Sequence, residues 1–148
     1  MMGVCNNIGV QLTQIRLIVS DFAAVAAYYR DVIGLTPQFA AVEPPYAAFK
    51  PEQGSSLCLH DRADLAAMLG DGVLREAAKS DAALVSLRVE DLDAYLAEVT
   101  ARGAEVAAGP VSFGDRIRSA YLRDPEGNLI ELQQWLQVRD GGAVPSAN

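Results

Sequence analysis

Glu131 is the one acid in "LIELQQW", Leu129 to Trp135, a run that follows the turn sequence "DPEGN". Strand alternation puts Ile130 and Leu132 on one face and Leu129, Glu131, Gln133 and Trp135 on the other. If the Ile130 face meets a core, Glu131 points into the opposite hollow. A carboxylate there can bind a cation, accept from a ligand's donor, or pair with a base such as Arg16 or Arg88. His60, the only histidine, lies two residues beyond Cys58 and so on the same strand face, roughly 7 Å further along at ~3.3 Å per residue. It reads as a pocket-rim or surface residue, and Cys58 as a small buried apolar side chain. Tyr46, Phe49, Phe113, Tyr121 and Trp135 are strand or loop aromatics able to wall a pocket for a flat apolar ligand. Phe22, Tyr28, Tyr29 and Tyr95 stand at helical spacing and read as packing residues. The sequence has no nucleophile beside a base, no phosphate loop and no nucleotide fingerprint.

The elements that must position these residues are written twice. "QIRLIVSDFAAVAAYYRDVIGL" from Gln14 aligns with "LVSLRVEDLDAYLAEVTARGAEV" from Leu84 at an offset of 70, so that Leu17 meets Leu87, Val19 meets Val89 and Asp21 meets Asp91. Beyond each Asp, apolar residues recur at i, i+3, i+4 and i+7, the buried stripe of an amphipathic helix. Asp21 and Asp91 fit the helix N-cap, and Gly34 and Gly103 the helix stop. "KPEQGSSLCLH" and "RDPEGNLIELQ" then align at an offset of 73 with Gly54 on Gly127, which places Cys58 on Glu131. With strands expected at 36–42, 46–49 and 56–60, and at 105–108, 116–123 and 128–135, each copy reads βαβββ.

The predicted fold is therefore α+β: two tandem βαβββ modules forming a curved, cup-like mixed sheet with the helices on its outer face. The modules span 11–60 and 83–137, joined by a partly helical connector at 61–82 and followed by a loose tail at 138–148. "AGPVSFGDR", Ala108 to Arg116, has glycine and proline at its ends and could form a mobile lid.

A net charge of −7 with scattered lysines and arginines offers no stripe that could neutralise a phosphate backbone, so nucleic acid is a poor partner. No apolar run approaches the roughly 20 residues that cross a bilayer, and the first ten residues lack the pattern of a signal peptide, so the expected location is the cytoplasm. Cys5 and Cys58 stand far apart without CxxC spacing and read as two reduced thiols.

"LIVSDF", "YYRDVIGL", "VSLRVEDLDAYLAEVTARGAEV" and "YLRDPEGNLIEL" resemble the vicinal oxygen chelate superfamily, which includes glyoxalases, bleomycin-resistance proteins and extradiol dioxygenases. The resemblance implies a small-molecule pocket, a homodimer, and four strand positions that in relatives can hold a divalent metal. Carried over, these are Gln14, Leu84, Cys58 and Glu131. Gln14 and Glu131 match the glyoxalase-like pattern, Cys58 stands where a Glu is expected, and Leu84 stands where a His or Gln is expected. His60 replaces Cys58 as the third donor if the register slips by two.

Two readings follow. The first is a metal-free protein that sequesters a hydrophobic or aromatic ligand, with Arg16, Phe49, His60, Arg88, Phe113, Tyr121 and Trp135 lining its cup. The alternative is a lyase, isomerase or dioxygenase of the glyoxalase type, in which Gln14, Glu131 and Cys58 or His60 hold Zn, Ni, Mn or Fe and Glu131 is the catalytic base.

Overall fold

The computed structural model of this 148-residue chain describes residues 9–50, 55–138 and 142–146. Cys5, Gly54 and part of the expected tail lie outside the described residues.

In the first module, strand β1 (Gln14–Val19) leads to Asp21, whose side chain accepts from the amide of Ala24 and caps helix α1 (Phe22–Ala27). The helix runs on into a π-helical stretch, Tyr28–Ile33, which stops at Gly34 with φ 90°. Strands β2 (Tyr46–Phe49) and β3 (Ser56–Asp61) complete a sheet of order β1-β3-β2. The strand expected at 36–42 does not form. One isolated bridge, Pro37 to Phe49, and one hydrogen bond, Gln38 N–H to Ala48 O at 2.8 Å, take its place. Pro37 has no N–H to give to a ladder, and Pro44 and Pro45 close the segment.

Helix α2 (Arg62–Leu69) follows β3 directly, capped by Asp61 and ended at Gly70. In the second module, β4 (Leu84–Arg88) leads through the cap Asp91 into α3 (Leu92–Ala101). Strands β5 (Val106–Phe113), β6 (Ile117–Arg123) and β7 (Leu129–Trp135) complete a sheet of order β4-β7-β6-β5. The expected lid is thus mostly strand. Its β-branched and aromatic members Val111 and Phe113 pair with Ser119 and Ile117, and β5 becomes an exposed sheet edge that meets the turn at Gly114.

Both sheets are open, and in each the first and last strands of the module pair in parallel. One core joins the modules. Val19, Val25, Tyr29 and Leu59 of the first cluster with Leu92, Val99, Leu122, Ile130 and Leu132 of the second, all fully buried. Each large aliphatic member contributes about 1.5–3 kcal/mol by leaving water. Polar ties cross the same seam: the Tyr95 hydroxyl donates to Ile33 O at 2.5 Å, and the Arg102 guanidinium to Val32 O at 2.8 Å. Glu126, from the β6–β7 turn, accepts from the amides of Ser20 and Asp21 ahead of α1. This packing leaves the other face of each sheet open. Among the described residues no helix is long and apolar enough to cross a membrane.

Candidate functional site

The register of the first sheet sets Gln14 beside Ser56, Arg16 beside Cys58, and Ile18 and Tyr46 beside His60, all on the open face. Gln14 Oε1 lies 2.8 Å from the Tyr46 hydroxyl and accepts from the Cys58 thiol at 2.9 Å. The Tyr46 oxygen is also 3.1 Å from Cys58 Sγ. Burial, helped by the thiol contact, pushes the Tyr46 pKa up. One step along the face, Arg16 Nη1 is 3.0 Å from His60 Nδ1, and His60 Nε2 is 2.8 Å from Asp64 Oδ2. Arginine can only donate, so Nδ1 must accept; donor chemistry thereby assigns the proton to Nε2, facing Asp64. His60 is 4 % exposed, which corrects its reading as a rim or surface residue: α2 begins immediately after β3 and brings Asp64 over it. Arg16 also lies over the Tyr46 ring, 5.9 Å from its centroid.

On the second sheet, Ser86 and Tyr121 flank Glu131 on neighbouring strands, and Arg88 and Ser119 flank Gln133. Glu131 lies on the sheet face opposite Ile130 and Leu132, which are fully buried in the core shared with the helices. Glu131 Oε1 accepts from Ser86 at 2.8 Å and from Gln133 Nε2 at 2.5 Å, and Oε2 accepts from Tyr121 at 2.8 Å. Burial pushes the carboxyl pKa up, but the bonds from Ser86, Tyr121 and Gln133 outweigh it, and the net shift is downward. The Trp135 indole N–H donates to Gln133 Oε1 at 3.1 Å, which ties the ring to the same network. Arg88 stacks on Trp135 with its guanidinium carbon 4.2 Å from the ring centroid and donates to the carbonyls of Pro145 and Ser146. At this end Phe113, Arg116, Ile117, Trp135, Gln137 and Val138 line a slot of about 400 Å³.

The structure thus joins Gln14 with Cys58, Arg16 with His60, Glu131 with Tyr121 and Arg88 with Trp135. It does not join Cys58 or Gln14 with Glu131, because the two groups stand on sheets that share no strand. Phe49 is corrected from pocket wall to core. Its pairing with Leu57 turns it to the helix side, where it is 3 % exposed and packs 6.3 Å from the Tyr29 ring. Sequence reasoning passed over Ser86, Asp64 and Arg116. Ser86 was readable as the residue two beyond Leu84, and Asp64 as the residue four beyond His60. A larger hollow of about 1200 Å³, between 77–83 and the 125–128 turn, contains none of the predicted site residues, and Asp81 neutralises its Arg123 at 2.8 Å.

Two open sheets backed by helices, the first from a βαββ unit and the second from a βαβββ unit, each carry a polar cluster on the face turned away from the shared core. The chain belongs to the Glyoxalase/Bleomycin resistance protein/Dioxygenase superfamily, whose profile matches residues 11–132. It is 30% identical over 128 residues to the YraH protein of Bacillus subtilis (strain 168), spanning 85% of this chain and 99% of that one. A crystal structure of a glyoxalase/bleomycin resistance protein/dioxygenase from Nocardioides superposes with TM-score 0.71 at 23% identity, covering 93% of this chain and 91% of that one. TnmS3, an antibiotic binding protein from Streptomyces sp. CB03234, superposes with TM-score 0.61 at 25% identity, covering 86% and 98%.

The divalent metal held by many members of this superfamily does not fit the residues present. Leu84 has no lone pair to offer. Gln14 Oε1 is already engaged by a hydroxyl and a thiol, and three neutral donors surround the Glu131 carboxylate. Among the described residues no three His, Cys, Asp or Glu side chains converge where an ion could sit.

Proposed function

We propose that this protein binds a small hydrophobic or aromatic molecule without a metal, in the hollow bounded by its open sheet faces. The observation that carries the reading is the occupancy of the two surviving ligand positions. The acceptor atoms of Gln14 and Glu131 are engaged by Tyr46, Cys58, Ser86, Tyr121 and Gln133, all neutral groups of the protein itself. The alternative, a metal-dependent lyase, isomerase or dioxygenase, requires those donors to let go and a further ligand to replace Leu84. Likeness to the antibiotic binding protein TnmS3 supports a binding role. The protein acts as a homodimer in which the β1 edge of one copy meets the β4 edge of the other, bringing the Gln14 and Glu131 clusters to one hollow.

The test is elemental analysis of protein purified without chelator, paired with a thermal-shift screen of aromatic ligands. Metal well below one atom per chain and ligand-induced stabilisation are expected. Near-stoichiometric Zn, Ni, Mn or Fe overturns the reading.

A further inference from the structure

We propose that the slot at the Trp135 end of the second sheet takes a planar aromatic ring bearing an anionic group, with Arg116 as the anchor for the anion. This deepens the binding role proposed above and rests on it. The strand register sets Phe113, Ile117 and Trp135 in one row across β5, β6 and β7. The two aromatics are therefore about 10 Å apart, two strand spacings, with the isoleucine as floor. Both keep much of their surface in water, Phe113 at 53 % and Trp135 at 36 %, and so offer apolar area that a flat ligand would cover. A volume of about 400 Å³ suits a fused two-ring system.

The charge at the slot selects the sign of the ligand. Ion pairs elsewhere engage Arg30, Arg102, Arg118 and Arg123, whereas Arg116 enters none among the described residues, although the chain as a whole carries −7. Its backbone is fixed where β7 ends, because its carbonyl accepts from the amide of Leu136 at 2.7 Å. Arg88, stacked on Trp135, adds a second positive charge beside the ring. The neighbouring Asp115 is not among the lining residues. A carboxylate on the bound ring completes a charge-assisted pair with the Arg116 fork, and an ammonium group meets that guanidinium instead.

The test uses the full chain and the indole N–H resonance of Trp135, the only tryptophan. Naphthalene carboxylate, naphthol and naphthylmethylammonium are titrated in turn. The carboxylate is expected to shift the resonance and to bind about tenfold more tightly than naphthol, with the ammonium weakest. Arg116→Gln, a change at an exposed side chain, is expected to bring the carboxylate down to the naphthol level and leave naphthol unchanged. The unaltered thermal midpoint of the variant serves as the fold control. Equal affinities of carboxylate and naphthol, or a ratio that Arg116→Gln does not alter, overturn the anion assignment and leave metal-free binding standing. Failure of all three probes to move the Trp135 signal removes the slot as a site. Failure of the underlying reading is seen separately, as bound metal.

Discussion

The Tyr29 hydroxyl, in the helical segment of the first module, donates at 2.9 Å to Asp124, the acid that opens the β6–β7 turn of the second, and both residues are buried. The same carboxylate accepts from the amides of Glu126 and Asn128 and from the Asn128 side chain. One acid therefore shapes the turn and ties the modules together. Burial and the charge of Asp124 drive the Tyr29 pKa far above its ordinary range, so Tyr29 remains a donor. Tyr29→Phe is expected to cost about 1–3 kcal/mol in urea unfolding, the penalty for a buried acceptor losing a partner. Asp124→Ala is expected to cost more, since it strands several donors at once. Loss of less than about 0.5 kcal/mol on Tyr29→Phe would show that the turn satisfies Asp124 alone.

Glu131 makes stability depend on pH in a definite direction. Its folded pKa lies below the ordinary 4.5, so the unfolded chain binds the proton more readily. The contribution is fully present above 4.5 and is lost as pH falls through the lower folded value. Tyr121→Phe removes one donor and is expected to raise the Glu131 pKa toward the ordinary value, read from the side-chain carboxyl signal in an NMR titration. Glu131→Gln is expected to flatten the acid limb of the stability profile. An acid limb identical to that of the parent sinks this account.

Gly109 is fixed by backbone on both counts. Its φ is +87°, and a Cβ there would lie 2.8 Å from Ser119 O and 3.1 Å from Ala120 Cα. Neither atom can swing away, so Gly109→Ala is expected to destabilise by about 1–3 kcal/mol through local strain. Gly114→Ala, at φ +59° with nothing within 4 Å, is expected to cost less, about 1 kcal/mol. Paired thermal melts decide it, and equal losses would contradict the close contact.

The repeated strand, cap and helix were legible because each rests on local chemistry. Asp21 and Asp91 accept from the amides of Ala24 and Ala94, and Gly34 and Gly103 take positive φ, as the spacing required. The face that Glu131 takes, opposite Ile130 and Leu132, was legible for the same reason, since alternation along one strand needs no partner. Phe49 was misplaced because its face follows from pairing with Leu57, a relation between strands. Tyr46 and Phe49 are three apart on one strand, so only one of them can face the hollow. His60 was read as peripheral because a helix in the 61–82 connector does not by itself fix the direction in which it leaves the strand, and it is that direction that carries Asp64 back over the imidazole. Thr36 to Val42 has β-forming residues, but the proline without an N–H is decisive only where a neighbouring strand needs that donor.

The proposed dimer sets the last expectation. β1 and β4 are sheet edges, and Ile15 on one and Leu84 on the other remain 53% and 45% exposed. Open edges with apolar side chains are templates for pairing, and lysine at such positions opposes it. Ile15→Lys combined with Leu84→Lys is expected to convert a dimer to a monomer in sedimentation velocity while preserving the far-ultraviolet spectrum, because neither side chain contributes to the core. The two losses then separate by location. A ligand held between Gln14 of one copy and Glu131 of the other is released by the double variant, whereas a probe in the Phe113–Trp135 slot, built within one chain, keeps its affinity. A parent protein that sediments as a monomer at micromolar concentration removes the shared hollow and leaves each sheet face to act alone.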